Sequence, residues 1–233
     1  MAKKNIDDVL VMVQVRLQSE RCPNKVIRPF AGSTLTDLLI EKLLASQVVP
    51  QRNIYLSVYE PELVAIGKRH NVNIFHRSKE SAEANAGCSL VYEWWDKLPF
   101  KHFVLVSVCA PLLKVKTIDN FVQSYIESES EGMLGVVERN TYFWDKEGNC
   151  FSSFNAEGGM DTKVADVVYE AAHCLYAGSL EGIGRGSLTG DLSKKGEVEL
   201  VSVPEDEVFD INYEWEFNLY EQVYRHITEG KKE

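Results

Sequence analysis

The sequence predicts an α/β protein built on a mainly parallel sheet with helices on both faces, and two observations carry that expectation. Strand-like apolar runs alternate with helical patterns through the first half of the chain, the order that βαβ units require. The earliest of these runs, Val9 to Val15, empties directly into a loop bearing Arg16, Arg21, Lys25 and Arg28, with prolines among them. A buried strand that ends in a polar loop ahead of a helix is how α/β proteins commonly hold phosphates. A solvated basic turn is the other reading of that loop.

Taken in order, Ser33 or Thr34 caps a helix whose Leu35, Leu38, Leu39, Leu43 and Leu44 fall broadly on one face. Ile54 to Val58 reads as a second strand, and Pro61 opens a short helix through Lys68, as proline does at a first helical position. Val72 to Phe75 is a third strand, and Ser89 to Leu98 a helix carrying Val91, Trp94 and Trp95. His102 to Val108 is the strongest strand pattern, followed by Pro111 and a helix from Thr117 to about Ser128. Leu134 to Glu138 reads as another strand. Tyr142 to Gly159 is then turn-rich, with Gly148, Gly158 and Gly159, before an apolar strand-like run from Val167 to Tyr176. The whole is a Rossmann-like sheet with a loop or hairpin insertion in its second half. No repeat, low-complexity tract or linker divides residues 1–233, so one domain is expected.

Composition narrows the partners. A formal charge of −10 argues against a nucleic-acid binder, while cations concentrated near the start of the chain suit a small anionic ligand. Five scattered cysteines without CxxC spacing fit neither structural zinc nor a disulfide framework, and suit a reducing cytosol. The first apolar run is short, follows Asp7 and Asp8, and lacks a small-residue cleavage site. No stretch approaches the ~20 apolar residues of a membrane helix. A soluble, cytoplasmic protein is expected.

The run Arg16-Leu17-Gln18-Ser19-Glu20-Arg21-Cys22-Pro23-Asn24-Lys25, with Pro29-Phe30-Ala31-Gly32 and Leu35 after it, resembles the nucleotide loop of the sugar cytidylyltransferases. That family includes acylneuraminate (CMP-sialic acid) synthetases, CMP-ketodeoxyoctonate synthetases and spore-coat polysaccharide cytidylyltransferases. Arg21 is most similar to the last two branches. The resemblance implies nucleotide contacts at Arg16, Leu17, Ser19, Arg77 and Ser89, the last two having a surface cation and a helix cap as their plain alternatives. It implies catalytic charge stabilisation by Lys25 and Arg21. Ser107-Val108-Cys109-Ala110-Pro111-Leu112 resembles a family segment in which the ketodeoxyoctonate and spore-coat branches carry a metal-binding Asp where Cys109 stands, and the acylneuraminate branch a Thr. Phe209-Asp210-Ile211-Asn212 resembles the closing Asp-Ile-Asp segment that holds Mg²⁺, with Asn212 in place of the second carboxylate. Asp210 as a cap for the helix beginning near Tyr213 is the alternative.

By resemblance, the reaction is transfer of CMP from CTP to an acidic, acylneuraminate-like sugar with release of pyrophosphate. Mg²⁺ would be the cofactor, and a homodimer the assembly. Charge builds on phosphoryl oxygens and leaving group, so such chemistry needs positioned cations more than covalent help. His173 lies where the resemblance puts the sugar, and Lys163 or Arg185 are candidates for its carboxylate. No residue stands out as general base. Gln18, where the family usually has a small residue, and Asn212 leave a second possibility open: a non-catalytic nucleotide-binding homologue with a degraded metal site.

Overall fold

The computed structural model describes residues 3–151 and 161–229, so Gly158 and Gly159 of the turn-rich stretch lie outside the described residues. β1 (Val9–Gln14) leads through the cationic loop to α1 (Leu35–Leu44), β2 (Ile54–Val58), α2 (Pro61–Arg69) and β3 (Asn73–His76). The short helices α3 (Lys79–Glu83) and α4 (Cys88–Val91) precede β4 (His102–Val106) and α5 (Val115–Glu127). β5 (Gly132–Asn140), β6 (Val167–Ser179), α6 (Leu180–Gly184), β7 (Val198–Ser202) and α7 (Glu214–Glu229) complete the chain. The seven strands form one sheet in the order β3-β2-β1-β4-β6-β5-β7. β6 pairs antiparallel with β4 and β5, and every other neighbouring pair is parallel.

β1 explains the layering. Val9 through Val13 are fully buried, as expected of a central strand covered on both faces. Alternation sends Val9, Val11 and Val13 into a core shared with Leu39 and Leu43 of α1 and Phe121 of α5. Leu10 and Met12 enter a second core with Trp94, Phe103, Leu180 and Ile183. Helices therefore cover both faces.

Local signals place most elements. The Thr34 hydroxyl oxygen accepts from the Asp37 amide at 3.1 Å, which selects Thr34 over Ser33 as the cap of α1. Pro61 occupies the first turn of α2. The excursion after β5 is a hairpin: Val136 to Asn140 pair with Ala171 to Val167, and Trp144 bridges Cys150.

The helix expected from Ser89 to Leu98 breaks. α4 ends at Tyr92 (φ −108°, ψ 47°), and a 3₁₀ turn over Glu93–Asp96 follows. The break rotates Trp94 into the second core, where it is fully buried, a gain that outweighs continuing an otherwise exposed helix. Gly87, at φ +83°, is the cap rather than Ser89. Three elements lacked a sequence reading, α3, α6 and β7, the last half-exposed and bordering β5 at the sheet edge.

Lys42 of α1 is half-buried against the loop after β4, donating to the Pro111 carbonyl. Burial lowers its pKa from 10.5 to about 8, with Glu207 opposing. Between those values the unfolded chain binds the extra proton, so this group makes stability rise with pH across that window. Relative to Lys42→Met, the wild type is expected to gain about 1–3 kcal/mol of unfolding free energy from roughly pH 7.5 to 10.5. Urea titrations of both proteins check it, and a constant difference refutes it.

Candidate nucleotide site

A cavity of about 800 Å³ opens at the carboxyl end of β1, lined by Gln14, Arg16, Ser19, Arg21 and Lys25 together with Val108 and Cys109 beyond β4. β1 lies between β2 and β4, the point where strand order reverses and where open α/β sheets leave a crevice for ligands. An adjoining chamber of about 270 Å³ shares Gln14, Val15, Arg16 and Asn85 and adds Arg77 and Val91.

The chain's far end closes this crevice. The Ile211 amide donates to the Cys109 carbonyl at 2.9 Å, docking the segment before α7 onto the end of β4. Lys25 Nζ donates to the Ile211 carbonyl. Arg21 donates to Asn212 Oδ1 at 2.6 Å and lies over the Tyr213 ring. Arg28 forms a two-pronged pair with Glu214 at 2.6 and 2.7 Å, holding that carboxyl below its ordinary range, and covers Phe217. The loop and this segment are thus stitched together across nearly the whole sequence.

The other expected residues divide. Arg16 donates to the Ala82 carbonyl at 3.2 Å and to Asn85 Oδ1 at 3.0 Å, which aims it along the cavity wall. The Leu17 amide donates to Glu60 Oε1 at 2.9 Å. Arg77 is 5% exposed; it donates to the Val15 carbonyl at 2.6 Å while its Nε has no hydrogen-bond partner among the described residues. Burial lowers its pKa, with Glu60 opposing. Ser89 is exposed and lines neither cavity. Gln18 is an exposed part of the larger cavity's wall.

His173 adopts φ +53° at an irregularity of β6 and meets the Tyr176 hydroxyl at 3.0 Å through Nδ1. Leu175 pairs with Val106, so this dyad stands at the carboxyl end of β4, the same end as the cavity. Burial raises the Tyr176 phenol, with Tyr92, Cys174 and Asp210 adding to it. Lys163 is an exposed residue of the 3₁₀ turn Thr162–Val164. Arg185 ends α6, which follows the pairing of Ser179 with His102 at the amino end of β4, the opposite end from the cavity. There it pairs with Glu131 and Glu181, so the fold separates it from the cavity.

Around Asp210, the Asn212 side-chain amide donates to Oδ2 at 2.7 Å, while Oδ1 accepts no hydrogen bond among the described residues. No group of three or more His, Cys, Asp or Glu among the described residues is placed to hold a metal. One carboxylate with phosphate oxygens and water is nonetheless an ordinary complement for Mg²⁺, and Asp210 fits it. Asn212 does not, because its oxygen faces Arg21 and its NH₂ faces Asp210. Asp210 is not the cap of α7 either: Glu216 Oε2 accepts from the Asn212 and Tyr213 amides at 2.6 and 2.8 Å. Burial raises the Cys109 thiol, Lys25 opposes, and Asp210 adds to the rise.

A family model described as cytidylyltransferase matches residues 10–169, more than half of the chain and the part that builds the cavity. The chain belongs to the cytidylyltransferase family. No curated protein matches it. Among solved structures, it is similar to a CMP:2-keto-3-deoxy-manno-octonic acid synthetase complexed with CTP, at 9% identity and TM-score 0.67, covering 94% of this chain and 99% of that one. A cytidylyltransferase from Leptospira borgpetersenii matches at 16% identity and TM-score 0.64, covering 92% and 85%. A 4-diphosphocytidyl-2C-methyl-D-erythritol synthase from Anaerococcus prevotii matches at 8% identity and TM-score 0.65, covering 93% and 98%. These likenesses establish a shared fold with known cytidylyltransferases.

Sequence reasoning missed Gln14, Glu60 and Glu216. Gln14 had a signal: it is the one polar residue in the apolar run before Arg16. Glu60 acts through a contact distant in sequence, while Glu216 stands just after the closing Phe209–Asn212 segment, where nothing in the residue order marks it as a cap. Glu216→Ala is expected to cost about 1 kcal/mol of stability by freeing the start of α7, and Glu216→Gln to retain most of it. Equal losses in urea denaturation would refute the capping role.

Proposed function

We propose that this cytidylyltransferase transfers CMP from CTP to an acidic, acylneuraminate-like sugar, releasing pyrophosphate. The observation that carries the reading is that Arg16, Arg21 and Lys25 share one cavity at the reversal point of the sheet, with Arg21 bonded to Asn212 and Lys25 to Ile211. A sugar hydroxyl would attack the α-phosphorus, the bond to the β-phosphate oxygen would break, and the hydroxyl proton would leave to solvent or a nearby base. Lys25 and Arg21 would meet the charge that grows on the phosphoryl oxygens, and Arg16 with Ser19 and the loop around Leu17 would hold the triphosphate. Arg77 would act on the nucleoside from the smaller chamber, with Ser89 outside it. Asp210 would hold Mg²⁺, which when bound offsets phosphate charge. His173 with Tyr176 would face the acceptor. Exposed Trp144, Val167 and Tyr169 on the hairpin support a homodimer. Free thiols at Cys22, Cys88, Cys109 and Cys174 suit a reducing cytoplasm, and no described helix is long and apolar enough to cross a membrane.

The arrangement of Asn212 favours a second reading, a nucleotide-binding homologue without turnover, since its amide oxygen is engaged by Arg21. Pyrophosphate release with CTP and Mg²⁺ across a panel of acidic sugars separates the two. Release with one sugar, falling on the order of 100-fold in Lys25→Ala, supports the enzyme. CTP binding without release, in the wild type and in Asn212→Asp alike, supports the homologue.

A further inference from the structure

We propose that Gln14 selects the nucleotide's base, reading cytosine and rejecting uracil because its side-chain amide cannot turn over. The inference rests on the cavity being a nucleotide site and adds how that site chooses its base. Gln14 ends β1 and lines both chambers. Its Oε1 accepts from the indole N–H of Trp94 at 2.8 Å, and its Nε2 donates to the Val91 carbonyl at 3.1 Å. An indole only donates and a carbonyl only accepts, so these two partners fix which end of the amide is oxygen.

Neither partner is free to yield. Trp94 is fully buried and sits edge-on to Tyr92 and Phe103, with ring centroids 5.8 and 5.4 Å away. Val91 closes α4, and its carbonyl also accepts from the Ser81 hydroxyl at 3.1 Å. The Gln14 amide keeps one unused N–H and one unused oxygen lone pair, in a residue that borders both chambers. Arg16, Arg21 and Lys25 of the loop line the larger chamber, which suits phosphates. The smaller one, with Val91 and the unpaired Nε of Arg77, suits a single heteroaromatic ring.

Cytosine presents an amino donor at N4 beside an acceptor at N3, whereas uracil presents an acceptor at O4 beside an N3–H donor. A freely turning glutamine amide serves either edge. Locked, it offers its oxygen to N4–H and its N–H to N3, and against uracil it sets oxygen against oxygen and hydrogen against hydrogen. Rejection by mispaired buried groups is how such a site discriminates between ligands of nearly equal shape.

Calorimetric titration of CTP and UTP into the wild type, Trp94→Phe and Gln14→Met tests this. The wild type is expected to prefer CTP by about 10- to 100-fold. Trp94→Phe keeps an aromatic ring in the core but frees the amide, so the preference should fall to within about threefold, chiefly through tighter UTP binding. Gln14→Met should lose the preference chiefly through weaker CTP binding. A structural role alone would weaken both nucleotides together and leave their ratio unchanged, which overturns the proposal, as does a wild type indifferent to base. Cytosine preference without pyrophosphate release would sink the enzymatic reading while sustaining this one, and absence of any nucleotide binding would sink both.

Discussion

The interaction on which the site depends is the stitching of the N-terminal loop to the segment before α7. Lys25, Arg21 and Arg28 reach Ile211, Asn212 and Glu214 in turn, and the Ile211 amide anchors that segment to the end of β4. The loop has turns of its own and buries Cys22, Val26 and Phe30, but its like charges repel and its cationic heads need acceptors from elsewhere. The C-terminal segment supplies the missing acceptors and, through Phe217 against Phe30, the missing apolar contact. The loop's cations are thereby directed into one cavity, and a phosphate binding there meets side chains already ordered.

Behind that arrangement stands the burial of β1. Because both of its faces are covered, its residues have no route to solvent except at the ends, and its carboxyl end is where the neighbouring connections part to opposite sides of the sheet. Gln14 is the first residue of the strand free of that constraint. A polar side chain there meets one wall from the sheet and one from the broken helix around Trp94. The same burial that interrupts the helix at Tyr92 thus delivers the indole N–H to Gln14, so packing in the second core and recognition in the cavity share one cause.

Those parts of the structure governed by local chemistry were legible in the sequence. Burial on two faces made β1 apolar up to Gln14 and β4 apolar after His102; Pro61 and Thr34 marked helix starts by dihedral and hydrogen bond; and the crowding of Arg16, Arg21 and Lys25 marked the loop. What escaped depends on partners far along the chain. β7 alternates too weakly to register, because its edge position leaves much of it in water. The break at Tyr92 is decided by a core that only the folded sheet assembles. Arg185 reads as a plausible carboxylate partner until the antiparallel run of β6 carries it to the opposite end of the strands. Ser89, a natural helix cap by residue type, gave way to Gly87, whose positive φ no serine tolerates as easily.

Asn212 stands where the resemblance leads one to expect a carboxylate, and its surroundings argue that the substitution is more than a loss. Its NH₂ donates to Asp210 and its oxygen accepts from Arg21, so one neutral side chain joins a carboxylate to a guanidinium with both ends satisfied. A carboxylate in its place would keep the bond to Arg21 but set two acceptors against each other at the distance now spanned by a hydrogen bond, and the pair would need a proton or a cation between them. The amide removes that need. Asp210 is then held in place without a second negative charge, and any cation it receives is shared with the ligand's phosphates rather than with a neighbouring residue. Were Asp210 to hold a divalent ion as proposed, the affinity would be tied to the nucleotide more closely than a paired-carboxylate site would make it.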